Sequence, residues 1–260
     1  MFRFPPDRLP VLFILLFSLL DFIVYFMVDN ILWLLCSLLV MIIPRGAICA
    51  WNHHHQHTLT FFSKPLNRLL EFFYGLHTGA TTNLWVLHHV LGHHQNFLNQ
   101  SKDESAWKRA DGAQMGEIEY ALVTAGTAYF RAFRVGEKFT RVRREFVIYA
   151  VLTVLALALL CWFRLAPALL VFVFPMIISL IITAWVTYDH HAGLDTQDQF
   201  QASFNNTNRI ANLLTGNLGY HTAHHYRQGV HWSKLPELHK EIKEKIPAAL
   251  MKDTMFALRT

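Results

Sequence analysis

The chain carries its histidines in spaced groups, and histidine is the commonest metal ligand in proteins. Nine of the 16 histidines fall into four such groups. An imidazole is neutral at physiological pH and binds Fe, Zn, Cu or Ni. Nine imidazoles suit two ions better than one, so the sequence predicts a dinuclear metal site. The groups are His53 and His57; His89, His93 and His94; His191; and His221, His224 and His225.

The spacing within the groups indicates how the rings are presented. Residues four positions apart lie on one face of an α-helix, one turn from each other. His53 and His57 can therefore share a metal ion. We expect His89 and His93 to do the same, with adjacent His94 turned toward a neighbouring ion. The last group repeats this pattern.

The ligand types indicate which metal is bound. A structural zinc site needs four ligands, often including cysteine, and a hydrolytic one needs three ligands and a carboxylate base. This set has too many imidazoles for either, and it suits two iron ions that react with O2. A zinc-dependent membrane hydrolase and a metal transporter are less favoured alternatives, since transporters place ligands near the middle of their spans. Metal content would separate these classes.

The composition places the histidines on a membrane scaffold. The chain is 53% hydrophobic with a mean hydropathy of +0.26. Four segments are near the length that a bilayer requires. We expect one all-α integral membrane domain over residues 1–260, with four transmembrane helices and a cytoplasmic helical cap that carries the histidine groups. The predicted spans are residues 9–28, 31–48, 146–163 and 166–188.

The charges predict the orientation. All but one of the 23 Lys and Arg residues, the exception being Arg164, lie on one side of these spans. The positive-inside rule assigns that side to the cytoplasm, with both termini and every histidine. This topology explains the net charge of +5 better than nucleic-acid binding does. Helices are expected at the membrane interface over 66–76 and 118–133, and a solvated tail helix over 235–245.

The histidine boxes and their order resemble those of the membrane fatty acid desaturase/hydroxylase superfamily from about residue 44 to 246. Residues 87–94, LHHVLGHH, are similar to the EHxxGHH box of alkane hydroxylases, with His88 in the place of Glu. Residues 188–194, YDHHAGL, resemble their NYxxHYGL motif, in which Thr187 would replace Asn.

The last box is similar to a different branch. Residues 221–225, HTAHH, followed by LPELH at 235–239, resemble acyl desaturases. The resemblance implies an oxidoreductase with two Fe ions and O2 that introduces a double bond into a lipid chain. Hydroxylation on the same scaffold stays open as the alternative. The implied ligands are His53, His57, His89, His93, His94, His191, His221, His224 and His225.

The resemblance also implies partners. The substrate would be a lipid or acyl chain that is free or attached to CoA, an acyl carrier protein or a lipid. The chain lacks a haem motif, and its three cysteines are too few for a four-cysteine iron–sulfur site. Electrons would then come from a separate ferredoxin, rubredoxin or cytochrome b5 with its reductase. A bacterial inner membrane is favoured over the endoplasmic reticulum.

Several further side chains are candidates to support the ligands. A metal-bound imidazole usually hydrogen-bonds through its second nitrogen. Asn217, four positions before His221, and the carboxylates Asp189, Asp195 and Asp198 could supply such bonds. Helix packing is the other explanation for Asn217, and a solvated surface position is the other explanation for the carboxylates.

The remaining histidines and one acid are less informative. We expect supporting or surface roles for the four histidines beside ligands, and structural or interfacial roles for three others. Asp21 lies inside the first span, where it would form a hydrogen bond at the far end of a substrate tunnel. The alternative is that it lies near the outer interface and is solvated. The two sets are His54, His55, His88 and His190, and His77, His231 and His239.

Overall fold

The computed structural model describes residues 1–255, and its described part is mainly helical with almost no strand. The helices are α1 (Arg8–Met27), α2 (Ile31–His57), α3 (Lys64–Thr78), α4 (Glu117–Val135), α5 (Thr140–Phe163), α6 (Leu165–Ala168), α7 (Phe174–His191), α8 (Arg209–Thr215), α9 (His221–Tyr226) and α10 (Leu235–Ile242). Two segments are π-helical, Val86–His93 and Leu169–Val173. Short 3-10 turns lie at Pro5–Asp7, Gly136–Lys138, Trp232–Lys234, Lys243–Lys245 and Ala248–Leu250. The strands β1 (Asn205–Asn206) and β2 (Met251–Lys252) pair in parallel.

Four helical segments are long and apolar enough to cross a membrane, which confirms the predicted fold class. They are Pro5–Met27, Ile31–His57, Thr140–Phe163 and Leu165–His191. Many of their leucine, isoleucine and phenylalanine side chains are exposed on the protein surface, where a lipid environment would cover them.

The second helix extends beyond the predicted span. We expected the membrane-spanning part to end near residue 48, where polar residues begin, and α2 continues as a helix to His57, as the spacing of His53 and His57 predicted. Its polar side chains are buried and bonded instead of solvated. Asn52 donates to the Thr78 hydroxyl at 2.9 Å, and the Gln56 side-chain oxygen accepts from the Trp85 backbone N–H at 3.0 Å. The helix thus carries its histidines into the protein interior.

The turns at one end of the helices are tied together by polar contacts. The Asn30 side chain caps α2 by accepting from the Leu32 backbone N–H at 2.9 Å. Arg164, which follows α5, donates to the Val28 carbonyl at 3.2 Å and pairs with Asp29. The Tyr25 hydroxyl donates to the Leu160 carbonyl at 2.8 Å. These bonds hold the α1–α2 turn against the end of α5.

A buried polar cluster lies among α1, α2, α3 and the second π-helical segment. The Arg45 guanidinium donates to the Asp21 carboxylate at 2.7 Å and to the Val171 carbonyl at 2.9 Å. The His77 ring is 2.9 Å from the Ser18 hydroxyl. The solvated alternative for Asp21 is therefore wrong, since its exposed fraction is only 2%. The last turn of α3 thus contacts the middle of α1 through His77 and Ser18.

The segments outside the spans pack onto them. The α4 helix lies along α7, and its buried face is rich in small residues, Ala121, Ala125, Ala128 and Ala132. The predicted tail helix ends as α10 at Ile242, and a 3-10 turn replaces its last residues. The tail is fastened to the start of the chain, because Asp7 contacts His231 at 2.9 Å and accepts from the Trp232 indole at 2.8 Å.

Candidate metal centre

The first group of histidine rings gathers around the end of α2. His53 and His57 are one helical turn apart, with ring centroids 4.9 Å from each other. Their ligand nitrogens and those of His89 and His224 all lie within 4.8 Å of one another. The Nε2 atoms of His53 and His224 are 2.9 Å apart. His94 joins this group, with its Nε2 atom 2.9 Å from that of His89 and 3.0 Å from that of His224.

The second group gathers at the end of α7. The ligand nitrogens of His93, His191 and His225 lie within 4.8 Å of one another. His221 joins them, since its Nε2 atom is 3.0 Å from that of His191 and 3.2 Å from that of His225. The structure thus brings all nine predicted histidines into two adjoining groups. The rings of His94 and His225, one from each group, stack with centroids 4.1 Å apart.

The middle histidine box does not divide as its sequence predicted. We expected an α-helix in which His89 and His93 share an ion, but the segment is π-helical. The backbone N–H of His94 bonds to the carbonyl of His89 at 2.8 Å, five positions back. The wider turn places His94 over His89 and directs His93 into the second group. The ligand nitrogens of His89 and His93 fall in different groups, although their rings stack with centroids 5.0 Å apart.

The spacing of the ring nitrogens fits metal binding. Two nitrogens held at right angles to one ion by bonds of about 2.1 Å would lie about 3.0 Å apart. Six pairs of ring nitrogens within the two groups lie 2.9 to 3.2 Å apart. In addition, the His57 Nε2 atom is buried and has no hydrogen-bond partner. Buried polar atoms are rarely left unpaired, so this nitrogen is suited to a ligand that the protein itself does not supply.

The electrostatics also favour ligand binding. Burial, followed by the nearby histidines, lowers the pKa of His89, His94, His221, His224 and His225 well below the ordinary value. These rings are therefore neutral at physiological pH. A neutral imidazole keeps a lone pair on one ring nitrogen, and that lone pair is what a metal ion binds.

Two ring orientations are set by hydrogen bonds on the far nitrogen. His93 Nδ1 is 2.8 Å from the Asp103 carboxylate, and His191 Nδ1 is 2.8 Å from the Ala202 carbonyl. Asp103 is buried and also accepts from the Ser105 backbone N–H at 2.7 Å. Asp103 is not among the residues that the sequence predicted for this role. Its position ten residues after His93, in a polar loop, has no periodic relation to the box, so only the fold reveals it.

The candidates named for that supporting role make several contacts with other groups. Asn217 lies in the turn before α9, with φ of 65°. The expectation that it shares a helix face with His221 is therefore wrong. Its amide donates to the Trp232 carbonyl at 3.2 Å. Asp195 is exposed and pairs with Lys108. The remaining two carboxylates also have other contacts. Asp198 accepts from the Phe200 backbone N–H at 2.9 Å, and Asp189 is 3.4 Å from Lys252 Nζ.

Three of the four histidines beside the ligands, His54, His55 and His88, are buried, and His190 is half-buried. His54 Nε2 is 3.1 Å from the Thr215 carbonyl, and His55 lies between the Thr60 hydroxyl at 2.9 Å and Glu71 at 3.3 Å. The surface alternative is therefore wrong for these two rings. His190 stacks on His221 with centroids 3.8 Å apart.

Two of the three histidines that lie apart from the ligands in sequence, His77 and His231, have structural roles, as expected. His77 belongs to the polar cluster within the membrane helices, and His231 holds the two ends of the chain together. His88 and His239 are buried, but neither ring has a hydrogen-bond partner on either nitrogen.

Comparison with known proteins agrees with this geometry. The sequence model of the fatty acid desaturase family matches residues 30–256, which include every histidine of both groups. No curated protein and no solved structure matches the chain. A match over so much of the sequence is decisive, and the chain belongs to the fatty acid desaturase family.

Proposed function

We propose that this protein is an O2-dependent diiron desaturase that introduces a double bond into a fatty acyl chain. Family membership makes it an oxidoreductase that modifies fatty acids. The observation that carries the finer proposal is the convergence of nine imidazoles into two adjoining groups. Such a set offers many nitrogen donors to two ions and leaves no need for a carboxylate ligand.

The histidines would hold the two ions separately. The first group would bind one iron through His53, His57, His89, His94 and His224, and the second through His93, His191, His221 and His225. When bound, the iron pair would supply the activation of O2 that removes hydrogen from an unactivated carbon. Asp103 and the Ala202 carbonyl would act as positioning groups, because they orient the His93 and His191 rings.

Desaturation is proposed over hydroxylation because of the last histidine box. The HTAHH and LPELH sequences resemble acyl desaturases, whereas the 87–94 and 188–194 sequences favour alkane or fatty acyl hydroxylases. The two reactions share the removal of a first hydrogen. Small differences in how the substrate is positioned decide whether a second hydrogen leaves or an oxygen is added. Hydroxylation is accordingly the second candidate.

We also propose the setting of the reaction. The charge distribution supports a cytoplasmic position for both termini and for the histidine groups. An acyl substrate, free or attached to CoA, an acyl carrier protein or a lipid, would enter from the membrane. A separate ferredoxin, rubredoxin or cytochrome b5 would supply electrons, and a bacterial inner membrane is the proposed location.

Lipid mass spectrometry of cells that express the chain tests this proposal. We expect a product that lacks two hydrogens relative to its parent lipid, and purified protein that contains two iron ions. The His224→Ala/His225→Ala variant should lose the product and the iron. His239→Ala is the matched control, because His239 is buried but belongs to neither group.

The other outcomes are equally definite. A product that gains one oxygen would replace the desaturase proposal with the hydroxylase. A purified protein that binds one zinc ion, or none of either metal, would contradict the diiron proposal.

A further inference from the structure

Two side-chain amides near the end of α2 bond to each other inside the protein. Asn52 is 0% exposed and Gln56 is 7% exposed, and about one helical turn separates them. The Gln56 amide N–H donates to the Asn52 side-chain oxygen at 2.8 Å. Buried amides need protein partners, because little water reaches them. The remaining bonds of this pair show which segments of the chain it joins.

Gln56 caps the π-helical segment that carries the middle histidine box. Its side-chain oxygen accepts from the backbone N–H groups of Trp85 and Val86, at 3.0 and 3.2 Å. The first N–H groups of a helix have no partner within the helix, so the side chain of the residue before it often supplies one. Trp85 precedes this segment, and its side chain makes no such bond. The cap comes instead from α2, 29 positions away in sequence.

Asn52 joins α2 to the turn that leads into the same segment. Its amide N–H groups donate to the Thr78 hydroxyl at 2.9 Å and to the Ala80 carbonyl at 3.1 Å. Every polar atom of the two side chains therefore has a partner. Turning the Asn52 amide over would place its oxygen against the Ala80 carbonyl oxygen. Turning the Gln56 amide over would place its nitrogen against two backbone N–H groups, so the network fixes both orientations.

The two amides lie next to predicted ligands of the first group. His53 directly follows Asn52, and His57 directly follows Gln56. His89 lies within about one turn of the capped N–H groups. Its ring centroid is 4.4 Å from that of His53 and 5.3 Å from that of His57. The amide bonds thus join the two backbone segments that carry these three rings, close to each ring.

We propose that Asn52 and Gln56 are positioning residues of the first histidine group. Their bonds hold the middle histidine box at a fixed distance from the end of α2, so that His89 reaches the ion that His53 and His57 would bind. This inference rests on the proposed function, because it assigns a metal ion to the first group.

The second group should depend much less on this amide pair. Its rings His191, His221 and His225 lie on α7 and α9, outside the capped segment. His93 lies on that segment, but the Asp103 carboxylate contacts its far nitrogen at 2.8 Å. A loss of metal confined to the first group therefore separates a positioning role from a general loss of folding.

The test compares Gln56→Leu with Asn67→Leu. Asn67 is the matched control, because this buried amide on α3 also accepts from a backbone N–H, that of Phe61 at 2.9 Å, and belongs to neither group. Purified full-length protein in detergent is loaded with iron and then challenged with a chelator. We expect Gln56→Leu to bind the first iron roughly tenfold or more weakly and to retain one iron per chain. Asn67→Leu should retain two.

Two further measurements identify the cause of the loss. Mössbauer spectroscopy of iron-loaded Gln56→Leu should show only one of the two iron environments of the wild type. Hydrogen–deuterium exchange of the metal-free protein follows the backbone N–H groups of Trp85 and Val86, which should exchange faster in Gln56→Leu and not in Asn67→Leu. If Gln56→Leu does not fold, Gln56→Asn keeps an amide but is one methylene shorter. It should show the same loss, because its oxygen is withdrawn from the capped N–H groups.

The results separate this inference from the proposed function. Two irons retained in Gln56→Leu or in Gln56→Asn would overturn the positioning role alone. Equal losses of iron in Gln56→Leu and Asn67→Leu would also overturn it, because loss of stability would then explain both. Wild-type protein without iron would refute the diiron proposal and the positioning role with it.

Discussion

The Nε2 atoms of His89 and His94 lie 2.9 Å apart, although five positions separate the two residues in the chain. In a regular α-helix, residues five apart point to different faces, whereas the π-helical turn brings them together. Neighbouring histidines are consequently sent to different groups, His94 to the first and His93 to the second.

This register predicts how double variants lose metal. His89→Ala/His94→Ala removes two rings from one group and should leave one of the two irons bound. His93→Ala/His94→Ala removes one ring from each group and should weaken both sites. Elemental analysis of the purified variants gives the iron content per chain. Equal losses in the two double variants would contradict the division that the π-helical segment creates.

A second prediction concerns Asp103, which orients His93 through a 2.8 Å contact. Asp103→Asn should lower metal affinity by roughly 10- to 100-fold at the second group, because a ligand loses its orienting carboxylate. Competition with a chelator measures that affinity. Asp195→Asn is the control, since Asp195 is an exposed carboxylate paired with Lys108. Equal affinities in the two variants would show that Asp103 is not a positioning residue.

Gly219 allows α9 to approach the rest of the tail closely. A Cβ atom there would lie 2.3 Å from the Asn206 carbonyl oxygen and 2.7 Å from the Asn212 side-chain oxygen. Gly219→Ala should therefore displace α9, whose histidines serve both groups, and lower both folded yield and iron content. Gly126→Ala is the control, because no atom lies within 4 Å and the change should stabilise α4 by up to about 1 kcal/mol. A well-folded, fully loaded Gly219→Ala protein would disprove this account.

Breaking the Asp21–Arg45 ion pair should destabilise the protein strongly, whereas replacing both side chains together should destabilise it much less. Both side chains are buried, so removing either one leaves an uncompensated charge among apolar helices. Asp21→Leu or Arg45→Met alone should destabilise by about 3–5 kcal/mol, and the double variant by much less. Thermal unfolding in detergent completes the double-mutant cycle. Additive losses would mean that the two side chains act independently.

The stability of the metal-free protein should fall in acid, partly through His77. Burial, followed by the charge of Arg45, lowers the pKa of His77 to about 3. The unfolded chain takes up a proton below about pH 6.5, whereas the folded ring stays neutral until about pH 3. The contribution of His77 to the free energy of unfolding is present above about pH 6.5 and is lost as the pH falls from about 6.5 to about 3.

Substituting His77 should reduce that dependence. His77→Gln should flatten the slope of unfolding free energy against pH by up to about 1.4 kcal/mol per pH unit within this window. The slopes should agree above pH 7, where neither state of the ring is protonated, so each protein serves as its own control. Identical slopes at pH 5 would contradict the assignment.

Much of the architecture follows from local sequence. Four apolar stretches of sufficient length predict four membrane helices, because a bilayer leaves the backbone no other way to satisfy its hydrogen bonds. The type, number and grouping of the histidines likewise indicate a metal site, since these depend on side-chain chemistry alone. Local polarity does not reveal that Asn52 and Gln56, near the end of α2, have hydrogen-bond partners inside the protein.

Tertiary structure decided how those histidines are shared. The partition of His89, His93 and His94 depends on a π-helical register that packing selects and that a periodicity of 3.6 residues does not predict. Asp103 meets His93 only through an irregular loop, and Asp21 meets Arg45 only because α1 packs against α2. The sequence by itself determined which chemical groups are present. Their partners were decided by the fold, because contacts between distant residues depend on how whole helices pack.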